Sequence, residues 1–296
     1  MGLLSAFPPM ATGQTAPTFD LQSHSTYSDG TLPPAEVVER AANAGVTLFA
    51  LTDHDTVDGV PEALAAARVK RIELIPAVEM SAVHDAYEDL HILGYDLDHT
   101  DSTLLDALED YRADRVRRIF AMADRLRELG FALDDTAIRA HAAPGRPHIA
   151  DALLAHPANA DRLAEEGIDS KNALFPAYLV PGSPGYVRRS RPTVAEAIDV
   201  IHAAGGLAVW AHPFWDVTDP GDTLKQFAGY GIDGVEAFYV SFTAEQTIAL
   251  YNAARELGLV TTGSTDFHGP AHEHFNRFRG FDLHGLEPDL GRLGQK

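Results

Sequence analysis

Short apolar runs alternate with amphipathic helical patterns along most of this chain, and this alternation restricts the fold more than any other feature. The apolar runs cover residues 46–52, 72–78, 90–95, 207–211, 232–238 and 259–264. Between them, residues 35–44 and 195–204 carry apolar side chains on one face and end at glycine, as helices often do. Strands that alternate with helices are typical of βαβ units and a mostly parallel sheet. We therefore predict an α/β fold.

The segment over residues 102–190 breaks this alternation. It holds a long helical pattern, LLDALEDYRADRVRRIFAMADRLRELG, and then shorter ones, one of which Pro147 is well placed to open. We predict a helical insertion that separates a first part of the α/β domain, residues 19–101, from a second part, residues 191–296. Residues 1–18 lack apolar periodicity and are expected to form a flexible N-terminal arm.

Composition limits the chemistry and the partners of the chain. The 296 residues include 14 His and no Cys, so a metal site must use imidazole and carboxylate ligands. The formal charge of −20 argues against binding of duplex nucleic acid, which requires many Lys and Arg on the phosphates, but small or single-stranded phosphate ligands are compatible with it. No stretch approaches the roughly 18 apolar residues that span a membrane, and the N-terminus lacks the basic start of a signal peptide. We expect a cytoplasmic protein with no membrane partner.

Polar residues able to bind metals recur in or just after nearly every predicted strand. In chain order the candidates are Gln22, His24, Asp29, His54, Glu79, His91, His212, Asp266 and His268. Each has an ordinary explanation by itself: Asp29 precedes Gly30 in a turn, Glu79 would be solvated after a strand, and His91 would be a core histidine. Collectively they lie where barrel enzymes gather catalytic groups, at the carboxyl ends of strands. The collective placement favours a catalytic metal site.

Two of these motifs carry additional signals. Strand alternation in FDLQSHSTYSDG places Asp20, Gln22 and His24 on one face. In LTDHDT, His54 stands between two carboxylates, which we expect to orient its ring, as carboxylates commonly do for metal-binding histidines.

The motifs QSHSTYSDG, LTDHDT, VEMS, LHILGY, AHPF and STDFHG, in this order, resemble those of the PHP (polymerase and histidinol phosphatase) family over roughly residues 19–270. The resemblance implies a distorted, TIM-like (β/α)7 barrel with two or three divalent metal ions, manganese as the first choice and iron or zinc as alternatives. Carried over by position, one metal would use Gln22, His24, Glu79 and Asp266, a second Glu79, His91 and His212, and a third Asp29, His54 and His268. The expected nucleophile is a metal-bound hydroxide, with no catalytic side chain beyond the ligands.

Among PHP proteins, the chain resembles most the phosphoesterases with a helical insertion. That branch implies removal of the 3′-phosphate from 3′,5′-bisphosphonucleosides or 5′ to 3′ degradation of short RNA. Arg146 and His148 match a family position that binds substrate phosphate, although surface salt bridging is the commoner use of a helical Arg. Two positions depart from the family. Gln22 replaces a histidine, which predicts a first metal site that is weak, prefers harder cations or is empty, and Ser183 stands where relatives often have a basic residue.

Two other functions are compatible with the same residues. A histidinol-phosphate phosphatase would use the same metal ligands, and the replacement of histidine by Gln22 is compatible with a non-catalytic domain that binds metal or nucleotide. The oligomeric state is left open by the sequence.

Overall fold

The computed structural model describes residues 17–139 and 144–295, so nearly all of the predicted N-terminal arm, residues 1–18, lies outside the described residues. The chain divides into two compact units. One comprises residues up to 108 together with those from 192 onward, and the other comprises residues 109–191. Among the described residues, no helix combines the length and the hydropathy that crossing a membrane requires.

The first unit is built on one seven-stranded sheet, in which the strands lie side by side in chain order. The strands are β1 (Phe19–Asp20), β2 (Leu48–Leu51), β3 (Glu73–His84), β4 (Tyr87–Tyr95), β5 (Leu207–Trp210), β6 (Gly234–Tyr239) and β7 (Val260–Ser264). At the two edges, the Leu21 N–H donates to the Gly263 carbonyl at 3.2 Å, and Ser23 forms a parallel bridge with Phe267. The sheet is therefore nearly closed, and helices surround it. This confirms the predicted α/β barrel.

One strand runs against the others. β1, β2 and β3 are parallel, as are β5, β6 and β7, whereas β4 is antiparallel to both β3 and β5. Only Asp85 and Ala86 separate β3 from β4, and two residues cannot form the crossover that a parallel strand requires. Because β4 is reversed, its first half lies at the barrel end where the parallel strands finish. His91 lies in that half, paired with Ser81.

β3 is also longer than the apolar run that predicted it. The sequence placed Glu79 just after a strand, where a solvated side chain is the ordinary alternative to a metal ligand, but the strand continues to His84, and Glu79 lies inside it, paired with Leu93 and fully buried. Glu79 ends the apolar run in the sequence, but it does not end the strand. Its carboxylate can lie inside the barrel because Gln22, His24 and His91 contact it there.

Ten α-helices are described. They are α1 (Pro34–Asn43), α2 (Val60–Lys70), α3 (Ser102–Glu128), α4 (Asp135–Arg139), α5 (Arg146–Ala155), α6 (Ala160–Glu165), α7 (Lys171–Leu174), α8 (Val194–Ala203), α9 (Pro220–Tyr230) and α10 (Ala244–Leu257). The helices predicted over residues 35–44 and 195–204 correspond to α1 and α8. Capping boxes start α8 at Thr193 and α10 at Thr243, and each uses a hydroxyl to satisfy a free N–H of the first turn.

Apolar packing between helices and strands holds the barrel framework. Val37 and Val38 of α1 and Ala63 of α2 pack with Phe49 and Leu51 of β2 in one buried cluster. Burial of such side chains stabilises the folded state by roughly 25 cal/mol for each Å² of apolar surface. The loops that follow the strands are thereby anchored at both ends.

Residues 109–191 form a helical unit with a core of its own. Ile119, Met122 and Leu126 of α3 pack in one cluster with Ile149 and Leu153 of α5. As the sequence indicated, Pro147 lies in the first turn of α5, where its missing N–H costs no helical hydrogen bond. The helical character of this segment is as expected, and the boundaries at residues 102 and 190 stay predictions.

Candidate metal centre

The barrel brings all nine candidate ligands to one centre around the buried Glu79, and Asp29 is the exposed member of the set. The Oε1 atom of Glu79 lies 2.7 Å from Nδ1 of His91 and 3.3 Å from Nε2 of His212, and these two imidazole nitrogens are 3.2 Å apart. We call this pair of histidines the Oε1 side. His212 follows β5 with a positive φ of 28°, an uncommon conformation for a residue with a side chain.

Three other residues approach the second carboxylate oxygen of Glu79, and we call them the Oε2 side. Glu79 Oε2 lies 3.0 Å from Nε2 of His24, 3.0 Å from Nε2 of Gln22 and 3.6 Å from Nδ1 of His54. The His24 Nε2 atom is also 3.0 Å from Oδ1 of Asp266. Glu79 is thus shared between two sets of potential ligands.

Asp29 joins the remaining histidine to the centre. Its carboxylate oxygens lie 3.4 Å from Nε2 of His268 and 3.5 Å from Nε2 of His54. The rings of His54 and His268 flank the ring of His24, with centroids 4.5 and 4.2 Å away.

Three groups of ligand atoms each lie within 4.8 Å of one another, close enough to hold a cation. The groups are His24, Asp29, His54 and His268; His54, Glu79 and His91; and His24, Glu79 and Asp266. They overlap at His24, His54 and Glu79, so neighbouring cations would share ligands. The first and third groups resemble two of the three ligand sets expected from the sequence. In the second, His54 takes the place expected for His212.

Unpartnered buried atoms test whether a cation fits this centre. Nε2 of His24, Nδ1 of His54, Nδ1 of His212 and Oδ1 of Asp266 are buried without a hydrogen bond of acceptable geometry. A buried polar atom without a partner is costly, and coordination to a metal removes that cost. The donors are imidazole nitrogens and carboxylate oxygens, which suit manganese, iron or zinc. The residues therefore fit divalent metal ions.

The charges of the centre are strongly coupled. Burial alone would raise the pKa of Glu79, but His54 and His91 hold it well below its usual value. Burial opposes protonation of His91, yet Glu79 raises its pKa to about 9. For His24, burial likewise opposes protonation, and Asp266 and Glu79 raise its pKa well above the usual value. Burial lowers the pKa of His54 to about 4. A divalent cation would take the place of the protons on His24 and His91.

Gln22 contacts Glu79 through its amide nitrogen. The amide oxygen, its ligand atom for cations, lies 3.3 Å from the Ser264 hydroxyl, which lies 2.5 Å from Oε1 of Glu236. The Ser264 hydroxyl is thus within donating distance of both oxygens, and burial raises the pKa of Glu236 well above its usual value. In this arrangement the Gln22 oxygen accepts a hydrogen bond, and its NH₂ group donates to Glu79.

Asp53 does not have the role that the sequence suggested. Instead of orienting His54, its Oδ1 accepts hydrogen bonds from the Ser25 N–H and the Ser28 hydroxyl, and its Oδ2 accepts one from the Ser25 hydroxyl, all at 2.7 Å. Asp53 therefore fixes the loop that follows His24. The carboxylates that face the His54 ring are Asp29 and Glu79, which come from other parts of the chain.

The sequence reasoning missed two supporting residues of β6. Glu236 accepts a hydrogen bond from the His212 N–H at 2.9 Å, and the Tyr239 hydroxyl donates to Oδ2 of Asp266 at 2.8 Å. Glu236 had a detectable signal, because an acidic residue inside the apolar run GVEAFY is as unusual as His91 inside its own run. Tyr239 had none, because tyrosine is common in strands.

The predicted phosphate-binding residues lie in the helical unit. Arg146 and His148 occupy the first turn of α5, where Nδ1 of His148 accepts a hydrogen bond from the Gly145 N–H at 2.9 Å. The Ser183 hydroxyl donates to the Val180 carbonyl at 2.8 Å and thus closes a turn. Substrate binding by Arg146 and His148 stays a prediction.

Comparison with known proteins identifies the family of the chain. The PHP domain profile matches residues 20–134. The chain is 34% identical over 256 residues to a 5′-3′ exoribonuclease of Haemophilus influenzae, with 85% of this chain and 90% of the relative covered. It is 35% identical over 260 residues to a 3′,5′-nucleoside bisphosphate phosphatase of Chromobacterium violaceum, with 85% and 87% covered. The chain belongs to the PHP family.

A solved structure is similar over nearly the whole chain. The structure of an amidohydrolase from Chromobacterium violaceum, with bound sulfate and no metal, superposes with a TM-score of 0.76 at 30% identity, covering 94% of this chain and 96% of that one. The PHP protein described here is a metal-dependent phosphoric ester hydrolase.

Proposed function

We propose that this PHP protein removes the 3′-phosphate from 3′,5′-bisphosphonucleosides and degrades short single-stranded RNA in the 5′ to 3′ direction. The observation that carries the proposal is the sharing of buried Glu79 between the Oε1 side and the Oε2 side. Relatives named for each activity match along most of their length at nearly equal identity, which supports a single centre that acts on nucleotide phosphate esters.

The proposed metal ligands are eight of the nine residues expected from the sequence: His24, Asp29, His54, Glu79, His91, His212, Asp266 and His268. Together they would hold two or three divalent ions, with manganese as the first choice. We assign Gln22 a different role, as the hydrogen-bond donor that positions Oε2 of Glu79. Its amide oxygen is turned to Ser264, which supports this assignment.

The protein residues perform three tasks in this proposal. Glu79 and Asp266 place negative charge where cations are needed, and the Tyr239 hydroxyl fixes one oxygen of Asp266. Asp53 holds the loop after His24 in place, which keeps the imidazole in position. The bound cations would supply an activated water and positive charge for the phosphoryl oxygens. Arg146 and His148 are proposed to bind a substrate phosphate.

Phosphate release from a panel of substrates tests the proposal. The panel contains 3′-phosphoadenosine 5′-phosphate, AMP, histidinol phosphate and a short 5′-phosphorylated RNA, each with Mn²⁺-loaded protein. We expect turnover of the bisphosphate and of the RNA, and much less turnover of the other two. Preferential hydrolysis of histidinol phosphate would replace the proposal with that activity.

A non-catalytic domain is the alternative from a different functional class. Protein that binds Mn²⁺ and nucleotide but releases no phosphate from any member of the panel would establish it. Asp266→Asn is the control that ties any phosphate release to this centre. The variant should lose activity while it keeps the parent's circular dichroism spectrum and melting temperature.

A further inference from the structure

Trp215 is half-exposed beside the metal centre, with 48% of its surface accessible. It ends the short helical turn Pro213–Trp215 that directly follows His212, and its N–H donates to the His212 carbonyl at 3.0 Å. Its ring centroid is 5.1 Å from that of His212. A large aromatic surface is therefore accessible next to a proposed metal ligand.

The exposed indole is held in one orientation. Its Nε1–H donates to the Ser241 hydroxyl at 3.4 Å, and its ring meets Tyr239 edge to face with centroids 5.9 Å apart. On another side it lies 5.5 Å from the buried ring of Phe275 at an angle of 33°. A side chain fixed in this way loses little conformational entropy when a ligand packs on it.

Trp215 belongs to a row of rings along the metal centre. Phe275 lies 4.9 Å from His272 in a stacked arrangement and 5.5 Å from His268. The row Trp215–Phe275–His272 thus borders a proposed ligand at each end, His212 and His268. A flat group attached to a phosphate at the centre would find the accessible aromatic surface of Trp215 beside His212.

We propose that Trp215 is the stacking platform for the nucleobase of the substrate. This inference rests on the proposed function, because the phosphate at the metal centre is what brings the base to the indole. A π-face binds purines and pyrimidines alike, since stacking does not read hydrogen-bonding edges. The platform therefore makes the enzyme selective for nucleotides over other phosphate esters while leaving base identity unrestricted.

Paired substrates with and without a base test the platform. For 3′-phosphoadenosine 5′-phosphate, Trp215→Ala should raise KM by about tenfold or more with little change in kcat. Stacking of one base on an aromatic ring strengthens binding by roughly this factor. For base-free ribose 3,5-bisphosphate, KM should not change. Trp215→Phe should restore most of the nucleotide KM. The platform is refuted if Trp215→Ala leaves the nucleotide KM unchanged or impairs both substrates equally.

A matched control separates the platform from general loss of an exposed aromatic ring. Tyr230 is 43% exposed, and its described ring contacts are with His84 and Phe227, away from the proposed ligands. Tyr230→Ala should leave KM for both substrates unchanged. A nucleotide-specific KM effect in this variant equal to that of Trp215→Ala would overturn the assignment.

Fluorescence gives a readout that does not depend on turnover. The chain has two tryptophans, and Trp210 is fully buried, so a base that stacks on Trp215 should quench the accessible emission. With Mg²⁺ present, AMP should quench and ribose 5-phosphate should not, and Trp215→Phe should abolish the AMP effect. Equal quenching by both ligands would refute the platform. Absence of phosphate release from the whole panel, with AMP quenching intact, would refute the proposed function and leave the platform standing.

Discussion

The two oxygens of Glu79 face unlike surroundings. Among the residues that the structure describes, the side chains recorded around Oε1 are the imidazoles of His91 and His212. Around Oε2 stand an amide donor and two imidazoles, and the carboxylate of Asp266 lies within reach of His24. The Oε1 side therefore offers mainly nitrogen donors, and the Oε2 side offers a mixed, harder set. The difference predicts two cation positions of unequal affinity that depend on one shared carboxylate.

Removal of the shared carboxylate should have the largest effect, because it disables both sides together. Glu79→Gln should lower kcat/KM by on the order of 10³ or more, since charge stabilisation at the reacting centre is lost. Metal analysis of the purified variant should find little bound metal. Glu73→Gln, at the start of the same strand, is the matched control and should keep both properties. Parent-like metal content in Glu79→Gln would contradict the shared role.

Substitutions confined to one side should separate the two positions. His212→Ala should remove the cation proposed at the Oε1 side. Asp266→Ala removes the carboxylate beside His24 and should remove the cation proposed at the Oε2 side. Each variant should lose about a hundredfold or more of its activity. The double variant His91→Ala/His212→Ala should lose little more than His212→Ala alone, because both residues serve one position. Activity assays and metal titration of each variant would measure these losses. If the activity losses of His91→Ala and His212→Ala simply multiply in the double variant, the two residues do not serve one cation position.

Metal binding should release protons, and its affinity should fall as the pH falls. The pKa of His91 is raised to about 9, so below that pH the ring carries a proton that a cation must displace. His24 has a raised pKa as well. Through His91 alone, affinity should decline by roughly tenfold for each pH unit below about 9, and a proton displaced from His24 should steepen the decline. Calorimetry at pH 7 in two buffers of different ionisation enthalpy would measure the release, and identical heats in both would contradict it.

Substitution of Gln22 should have the smallest effect, and it should change the cation affinity of the Oε2 side alone. Gln22→Ala removes a hydrogen-bond donor to Glu79 and should lower the cation affinity of the Oε2 side by about tenfold, because loss of a supporting hydrogen bond usually lowers metal affinity by at least that much. Gln22→His supplies an imidazole and should strengthen that side. Neither change should alter the Oε1 side. Mn²⁺ titration followed by electron paramagnetic resonance would measure both, and equal changes at both positions would show that Gln22 does not discriminate between them.

Much of this arrangement could be predicted from the sequence, for a physical reason. Proposed ligands such as His54 and Asp266 follow apolar strands, and the carboxyl ends of parallel strands meet at one end of a barrel. Weak local signals thus become a strong collective one. The alternation of strands and helices was also sufficient for the α/β fold, because it reflects burial on both faces of the sheet.

Other features required the three-dimensional structure. Strand direction is not encoded in an apolar run, so the reversal of β4 became evident only with the two-residue connection to β3. The amide orientation of Gln22 depends on Ser264 and Glu236, which are more than 200 residues away in the chain. The platform of Trp215 depends on Phe275 in the same way. Such long-range contacts leave no local pattern.

Anomalous diffraction from Mn²⁺-soaked crystals tests the central claim most directly. We predict one manganese peak within coordination distance of Glu79 Oε1, near His91, and another within coordination distance of Oε2, near His24 and Asp266. Manganese bound elsewhere, or a single ion whose ligands do not include Glu79, would contradict it.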